Sequence, residues 1–210
     1  MNRGIKINLL GAEAGFKIIS EEPDSSIKTL KQVHGSHGVL VTNATDKMFE
    51  ADWLWTRDPN CTIGIKVADC TALLVSGKNS FGKFVAAIHA GWRGTAQNII
   101  EKAFEEIKPI SFEAWLSPSI CQEHFEVGEE VIEALGSESK KYSIPGRTGK
   151  YFLDLKKFQI AKLKKWGSEF KNSSLCTYCQ PEFVSYRRLG TTLTTRHLAW
   201  IRIKDQSQSW

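Results

Sequence analysis

The stretch from residue 83 to residue 107 constrains the fold more than any other part of this sequence. Residues 83–89 (KFVAAIH) form a short apolar run that is typical of a strand buried on both faces. A glycine-containing turn follows at 90–95 (AGWRGT), and residues 96–107 then carry apolar side chains at helical spacing, with Thr95 placed to cap the helix. A buried strand that leads directly into an amphipathic helix predicts a domain built from both kinds of element.

Further strands and helices are predicted on both sides of this unit. Residues 129–135 and 155–166 are expected to be helical. A turn that leads into a short strand is expected at 32–42, and other strands are expected at 51–56, 62–67, 71–76, 112–116, 183–186 and 198–203. No repeat or linker divides the 210 residues. We therefore expect an α/β fold, with one domain over residues 1–210 and a mixed sheet flanked by helices.

Composition excludes several classes of protein. With 11 Phe, 7 Trp and 4 Tyr the chain is too aromatic to be mainly disordered, and no apolar stretch approaches the ~18 residues that cross a bilayer. The first residues lack the pattern of a secretory signal, so a cytoplasmic protein without a membrane partner is expected. The net charge of +5 is spread along the chain, which argues against a nucleic-acid partner and suits a small anionic substrate such as phosphate.

Three potential metal ligands stand beside the predicted strands of the N-terminal half. Cys70 follows the strand at 62–67, His89 closes the strand at 83–89, and His34 lies in a glycine-containing turn. A tight turn makes the flanking strands neighbours, which brings a thiolate and an imidazole to one sheet edge. Two histidines and one cysteine suit a catalytic zinc with an open fourth position. In the alternative interpretation, Cys70 is a small buried side chain and each histidine is a satisfied polar group.

Arginines at two places in the chain add a possible anion site. Arg93 stands in the turn before a predicted helix N-terminus, where free N–H groups bind phosphate or carboxylate. Arg187 and Arg188 lie at a predicted strand end, so that one would point towards a site and one away. The alternative is that all three side chains lie in solvent.

A competing constellation lies in the C-terminal half. His124 and Glu126 form an H-x-E, and Cys176 and Cys179 form a C-x-x-C, the parts that zinc nucleobase deaminases use. Leucine precedes Cys176 where that signature has proline, the gap between the halves is long, and a proline soon after Cys179 discourages the expected helix. We therefore favour the first trio.

Several motifs together resemble the laccase-domain family, which is also called polyphenol oxidase-like, purine nucleoside phosphorylase or peptidoglycan-editing factor. The matching motifs run from about residue 29 to residue 203: KQVHG (31–35), EAD (50–52), ADC (68–70), HAGWRGT (89–95), PSI (118–120), FEVG (125–128), CT (176–177) and SYRR (185–188).

The resemblance implies a single α/β domain in which His34, Cys70 and His89 bind zinc. It implies phosphorolysis of adenosine, inosine and methylthioadenosine, with adenosine deamination as a second activity. Phosphate is then expected at Arg93 and Arg187. Asp69 would shuttle protons or accept a hydrogen bond from a ligand histidine, with a capping aspartate as the alternative. The resemblance also implies that His124 and Glu126 are structural residues beside a turn.

The sequence departs from the family in three places. Residues 1–28 are expected to be a shortened, atypical segment without the family's glycine-rich hairpin, residues 78–81 look like an insertion in a turn, and 121–124 (CQEH) replaces a Gly-Pro pattern. Three other functions stay open: a copper polyphenol oxidoreductase, a metal-free hydrolase that uses Cys70 and His89 in peptidoglycan editing, and a non-enzymatic partner in cell-wall quality control.

Overall fold

Residues 4–167 and 169–204 are described by this computed structural model. The helices are α1 (Trp92–Ala96), α2 (Ile99–Ile107), α3 (Glu129–Leu135), α4 (Leu155–Lys164) and α5 (Tyr186–Leu189). The strands are β1 (Ile5–Leu9), β2 (Ala12–Ile19), β3 (Ile27–Lys28), β4 (Gly38–Leu40), β5 (Trp53–Thr56), β6 (Thr62–Val67), β7 (Thr71–Asn79), β8 (Gly82–Ala90), β9 (Ser111–Leu116), β10 (Glu126–Gly128), β11 (Ser143–Pro145), β12 (Lys150–Leu153), β13 (Glu169–Asn172) and β14 (Arg196–Ile203).

These strands form three sheets. The orders are β1-β2-β14-β6-β3, β13-β9-β7-β8-β5-β4 and β10-β12-β11. Most neighbouring strands are antiparallel, but β3 with β6, β4 with β5 and β13 with β9 are parallel, so the two larger sheets are mixed. The predicted α/β class is confirmed, although the strands are shared among three sheets instead of one.

The six-stranded sheet is buried on both faces. On β7, Leu74 packs towards the five-stranded sheet, whereas Leu73 and Val75 pack towards α2 and α4. On β8, Val85 faces the five-stranded sheet and Ile88 faces the helices. Side chains of a strand alternate between faces, so a strand between two apolar layers must be apolar throughout. The unbroken run at 83–89 has this cause.

The helix predicted over 96–107 is wrong in its N-terminal part. Helix α1 already begins at Trp92, and α2 begins only at Ile99. Between them Asn98 adopts a left-handed backbone (φ 60°), which asparagine tolerates better than most residues. Thr95 therefore lies inside α1 and caps no helix; its hydroxyl donates to the carbonyl of Gly91 over 2.8 Å.

The strand predicted at 183–186 is also wrong. Ser185 ends the extended segment because its Oγ accepts the N–H of Arg188 over 3.2 Å, and α5 starts at the next residue. The segment is apolar because it packs against the protein interior: the ring of Phe183 contacts the ring of His197 edge-on.

A hairpin, β1 and β2, occupies residues 5–19 of the segment 1–28 that we expected to be atypical and to lack the family's glycine-rich hairpin. Its strands join β14 in the five-stranded sheet. None of the helices within residues 4–167 and 169–204 is long and apolar enough to cross a membrane.

Candidate metal centre

Strand pairing brings Cys70 beside the end of β8, as the sequence predicts. Strands β7 and β8 are antiparallel, with Ala72 opposite His89 and Thr71 opposite Ala90. Cys70 immediately precedes β7, so the start of one strand and the end of the other present a thiol and an imidazole at the same sheet edge. The pairing is fixed by a tight turn between Asn79 and Gly82.

Asp52 brings the third potential ligand to this edge. Its carboxylate lies just before β5, is fully buried, and accepts the backbone N–H groups of His34 (2.9 Å), Gly35 (2.6 Å) and Val33 (3.3 Å). The same carboxylate lies 2.8 Å from Nδ1 of His89. The buried Asp52 carboxylate therefore holds the 33–35 loop against the sheet edge and orients the imidazole of His89.

The three donor atoms of His34, Cys70 and His89 lie within 4.8 Å of one another. The rings of the two histidines meet edge to face, with centroids 4.9 Å apart. His89 is buried, Cys70 is partly exposed and His34 is exposed, so the group opens towards solvent on one side. A three-donor group with an open side is the arrangement that catalytic zinc uses.

Gly91 leaves the space that a bound metal ion needs. A Cβ at this position would lie 3.1 Å from Sγ of Cys70, 3.7 Å from Nε2 of His89 and 3.9 Å from Cδ2 of His34. The backbone of Gly91 (φ −75°, ψ 171°) is open to any residue, so space and not conformation favours glycine. Together with the donor set of one sulfur and two nitrogens, this space fits a zinc ion.

The electrostatics of the group favour a thiolate. Burial alone would raise the pKa of the Cys70 thiol, but hydrogen bonds and positive charge from His34 and His89 lower this pKa to about 6. Burial alone would lower the pKa of His89, but Asp52 and the Cys70 thiolate raise this pKa to about 9. Burial opposes ionisation of Asp52, yet hydrogen bonds from His89, Gly35 and His34 hold the pKa of its carboxyl below the ordinary value.

Asp69 adjoins Cys70 but faces a different set of partners. Its carboxylate accepts hydrogen bonds from the hydroxyl of Thr177 (2.6 Å), the hydroxyl of Ser185 (3.0 Å) and the N–H of Arg187 (2.7 Å). The backbone of Asp69 is left-handed (φ 82°), and its carbonyl accepts the N–H of Ile120 over 3.0 Å. Asp69 thus ties the C-terminal segment to the start of β7, whereas Asp52 contacts the histidines.

The two arginines of the expected anion site are both exposed. The guanidinium of Arg93 stacks on the ring of Trp92, 4.5 Å from its centre. Arg187 donates from one guanidinium nitrogen to the carbonyls of His124 (3.2 Å) and Glu126 (3.0 Å). Because residues 186–189 are helical, the strand alternation expected for Arg187 and Arg188 does not apply; Arg188 donates to the carbonyls of a neighbouring turn.

The H-x-E pair of the competing constellation splits apart. The carboxylate of Glu126 forms an ion pair with Arg147 (2.7 Å), whereas Nδ1 of His124 faces Cys121 and Cys179. Neither residue joins the His34 group.

Asp52, in the EAD motif at 50–52, is a functional residue that motif spacing alone does not predict. The available signal was an acidic residue directly before the mainly apolar strand β5, where an unpartnered charge would be costly.

A group of two histidines and one cysteine that could hold a metal ion therefore lies at the edge of a mixed α/β fold. The family model described as "Multi-copper polyphenol oxidoreductase laccase" matches residues 14–204. The chain belongs to this family.

Relatives agree with this assignment. The chain is 34% identical over 178 residues to "Purine nucleoside phosphorylase YfiH" of Shigella flexneri, covering 82% of this chain and 72% of the relative. It is 38% identical over 187 residues to a purine nucleoside phosphorylase of Bacteroides thetaiotaomicron, covering 76% and 67%.

Solved structures share the fold. The crystal structure of protein NMB0706 from Neisseria meningitidis superposes with a TM-score of 0.75 at 28% identity, covering 85% of this chain and 75% of that one. A hypothetical protein YfiH from Bacillus licheniformis gives a TM-score of 0.78 at 23% identity, covering 92% and 93%.

Proposed function

We propose that this chain is a zinc-dependent purine nucleoside phosphorylase, a single domain over residues 1–210 that acts on adenosine, inosine and methylthioadenosine. The observation that carries the proposal is the His34, Cys70 and His89 group, whose donor atoms lie within 4.8 Å of one another. Relatives that carry the name purine nucleoside phosphorylase support the reaction class. The five cysteines form no disulfide with one another, which is in keeping with the expected cytoplasmic location.

His34, Cys70 and His89 would hold the zinc. A zinc ion there would supply Lewis acidity and a water of lowered pKa. The chain's own contribution is the Cys70 thiolate and two imidazoles beside it; His89, whose raised pKa keeps it protonated without metal, would give up its Nε2 proton on binding. Asp52 keeps a proton on Nδ1 of His89 and so leaves Nε2 as the donor atom.

Phosphorolysis needs a phosphate held beside the sugar. One phosphate oxygen forms a bond to the anomeric carbon, the bond from that carbon to the purine nitrogen breaks, and the purine keeps the electron pair and takes up a proton. We assign the phosphate to Arg93 and Arg187. Two carbonyls orient the Arg187 guanidinium, and stacking on Trp92 orients that of Arg93; an oriented guanidinium binds an oxyanion with two parallel hydrogen bonds.

Asp69 is assigned a positioning role. Three donors already occupy its carboxylate, among them the N–H of Arg187. By fixing Ser185 and Arg187, Asp69 sets where the Arg187 guanidinium stands relative to Cys70. Proton transfer would require breaking one of these bonds.

The test is chromatography of the products after the zinc-loaded protein is incubated with adenosine, with and without phosphate. Adenine that forms only with phosphate supports phosphorolysis. Inosine in both reactions supports the second activity, deamination. His89→Ala should abolish both products, and Cys61→Ala, which changes a buried cysteine that is not part of the His34, Cys70 and His89 group, should keep them. Adenosine left unchanged by the zinc-loaded protein would contradict the proposal.

Two observations favour other candidates. The lowered pKa of Cys70 and the raised pKa of His89 suit a nucleophile and base pair in a metal-free hydrolase. Such an enzyme stays active after chelation, and its Cys70 is alkylated equally with and without metal. The description of the matching family favours copper; copper oxidation of phenols would require activity that rises with copper and not with zinc.

A further inference from the structure

A second group of potential metal ligands lies outside the proposed phosphorylase centre. It consists of Cys121, His124, Cys176 and Cys179, and the four ligand atoms lie within 4.8 Å of one another. Cys121 and His124 come from a short 3-10 turn before β10, and the two other cysteines come from the C-x-x-C turn before α5. The two turns are joined by a hydrogen bond from the N–H of Cys121 to Sγ of Cys176, two residues that are 55 positions apart in the chain.

Two of three ligand-atom distances agree with the edges of a zinc tetrahedron, and the third is shorter. Bonds of about 2.3 Å to sulfur and about 2.0 Å to nitrogen imply edges of roughly 3.8 Å between two sulfurs and roughly 3.5 Å between sulfur and nitrogen. The two sulfurs of Cys121 and Cys179 are 3.8 Å apart. Nδ1 of His124 lies 3.1 Å from Sγ of Cys121 and 3.4 Å from Sγ of Cys179.

Cys176 is held as a thiolate ligand would be. Its side chain is buried, and its Sγ accepts the backbone N–H groups of Cys121 (3.2 Å) and Cys179 (3.4 Å). Such N–H groups stabilise negative charge on sulfur and orient it towards a metal ion. The imidazole of His124 is fixed as well, since its ring stacks on Tyr178 with centroids 4.2 Å apart.

We propose that Cys121, His124, Cys176 and Cys179 bind a second zinc ion with a structural role. Three thiolates and one imidazole are soft and borderline ligands that select zinc, and four protein ligands complete a tetrahedron without an open position. The difference from the first centre is chemical: His34, Cys70 and His89 leave a position for a reactant, whereas this set does not.

The zinc would clamp together the two segments that position Asp69 and Arg187. Thr177, inside the C-x-x-C turn, donates to the Asp69 carboxylate, and the carbonyl of His124 accepts from Arg187. Ile120, next to Cys121, donates to the Asp69 carbonyl. Binding of zinc at this cluster therefore contributes folding energy to loops beside the first centre.

A disulfide between Cys121 and Cys179 is the competing explanation for the closeness of these sulfurs. It would give no role to His124 or to the N–H groups directed at Cys176. The two explanations make opposite predictions for freshly purified protein.

The experiment counts zinc per chain by elemental mass spectrometry, on full-length protein purified with a thiol reductant and dialysed without zinc. Wild-type protein should hold two zinc ions, and Cys179→Ser and His124→Ala should each hold one fewer than wild type. Cys61→Ser, a cysteine outside both groups, should hold the wild-type number. His124→Cys, which keeps four ligands, should restore the ion and serves as the folded variant if His124→Ala precipitates.

The count does not depend on catalysis, so it separates this proposal from the proposed function. A zinc that is lost in Cys179→Ser and kept in Cys70→Ala supports the second site even if the first centre proves empty. Cys179→Ser with the same zinc content as wild type would overturn the proposal, and so would a Cys121–Cys179 disulfide in peptide maps of protein purified without reductant.

Discussion

Replacing Asp52 by asparagine tests the claim that one buried carboxylate builds the first centre. The carboxylate accepts three backbone N–H groups at 2.6–3.3 Å and faces Nδ1 of His89 at 2.8 Å. Asparagine offers only one oxygen to these four donors. If its oxygen faces His89, its NH₂ group meets the N–H of Gly35, donor against donor. If it flips, the NH₂ group faces Nδ1 and drives the histidine proton to Nε2, the proposed ligand atom.

Either orientation weakens metal binding. Loss of a partner behind a ligand histidine costs about 10- to 100-fold in affinity, which is about 1.4 to 2.7 kcal/mol. The metal-free protein should also lose about 1.5 to 3 kcal/mol of unfolding free energy, the contribution of one hydrogen bond to a charged group.

The assay measures zinc affinity by competition with a chromogenic chelator. The zinc of the first centre is identified as the ion that Cys70→Ala does not bind. Urea unfolding of the metal-free protein is measured in parallel. Asp58→Asn is the matched control, because Asp58 accepts backbone N–H groups in a loop and contacts no ligand. Folded Asp52→Asn protein with wild-type zinc affinity would refute the argument.

Three further changes test other parts of the structure. Burial lowers the pKa of His197 from 6.5 to about 4, so as the pH falls the unfolded chain takes up a proton at this residue before the folded chain does. The free energy of unfolding should therefore fall by about 3 kcal/mol between pH 6.5 and pH 4. In urea unfolding measured against pH, His197→Gln should remove that loss, whereas His37→Gln, at an exposed histidine, should not. Gly91→Ala should weaken zinc affinity in chelator competition with little change in metal-free stability, because the new Cβ would lie 3.1 Å from Sγ of Cys70. An unchanged zinc affinity would contradict the claim that Gly91 leaves space for the metal ion. Gln159→Leu should lower the free energy of unfolding by about 1 to 3 kcal/mol, since buried acceptors at 2.6 and 2.9 Å lose their donor; no change in the urea midpoint would count against this.

The sequence predicted the first centre where the ligands depend on local pairing. Cys70 and His89 flank two apolar runs joined by a short turn, so their proximity followed from antiparallel pairing alone. His34 is different, because a loop carries it and Asp52 holds that loop from 17 to 19 residues away. No periodicity reveals a partner at such a distance.

Long-range pairing explains most of what was missed in the fold. The apolar residues Ile5, Ile7 and Leu9 alternate with polar ones, a strand pattern that was present in the sequence and not used. Their sheet could not be predicted, since β2 pairs with β14 at the other end of the chain. The prediction of a strand at 183–186 was wrong because of a local interaction. The side chain of Ser185 caps a helix that begins at the next residue, although the apolar pattern indicated a strand.

The position of β14 has a consequence for how the chain is made. This strand lies between β2 and β6 and pairs with both, although it is synthesised more than a hundred residues after either. Until it emerges, both partners keep an unpaired edge that invites association with other chains. Pairing across so long a separation also slows folding. Chaperone capture of a growing chain should therefore persist until residue 203 has left the ribosome, and a nascent chain stopped before residue 196 should aggregate when released.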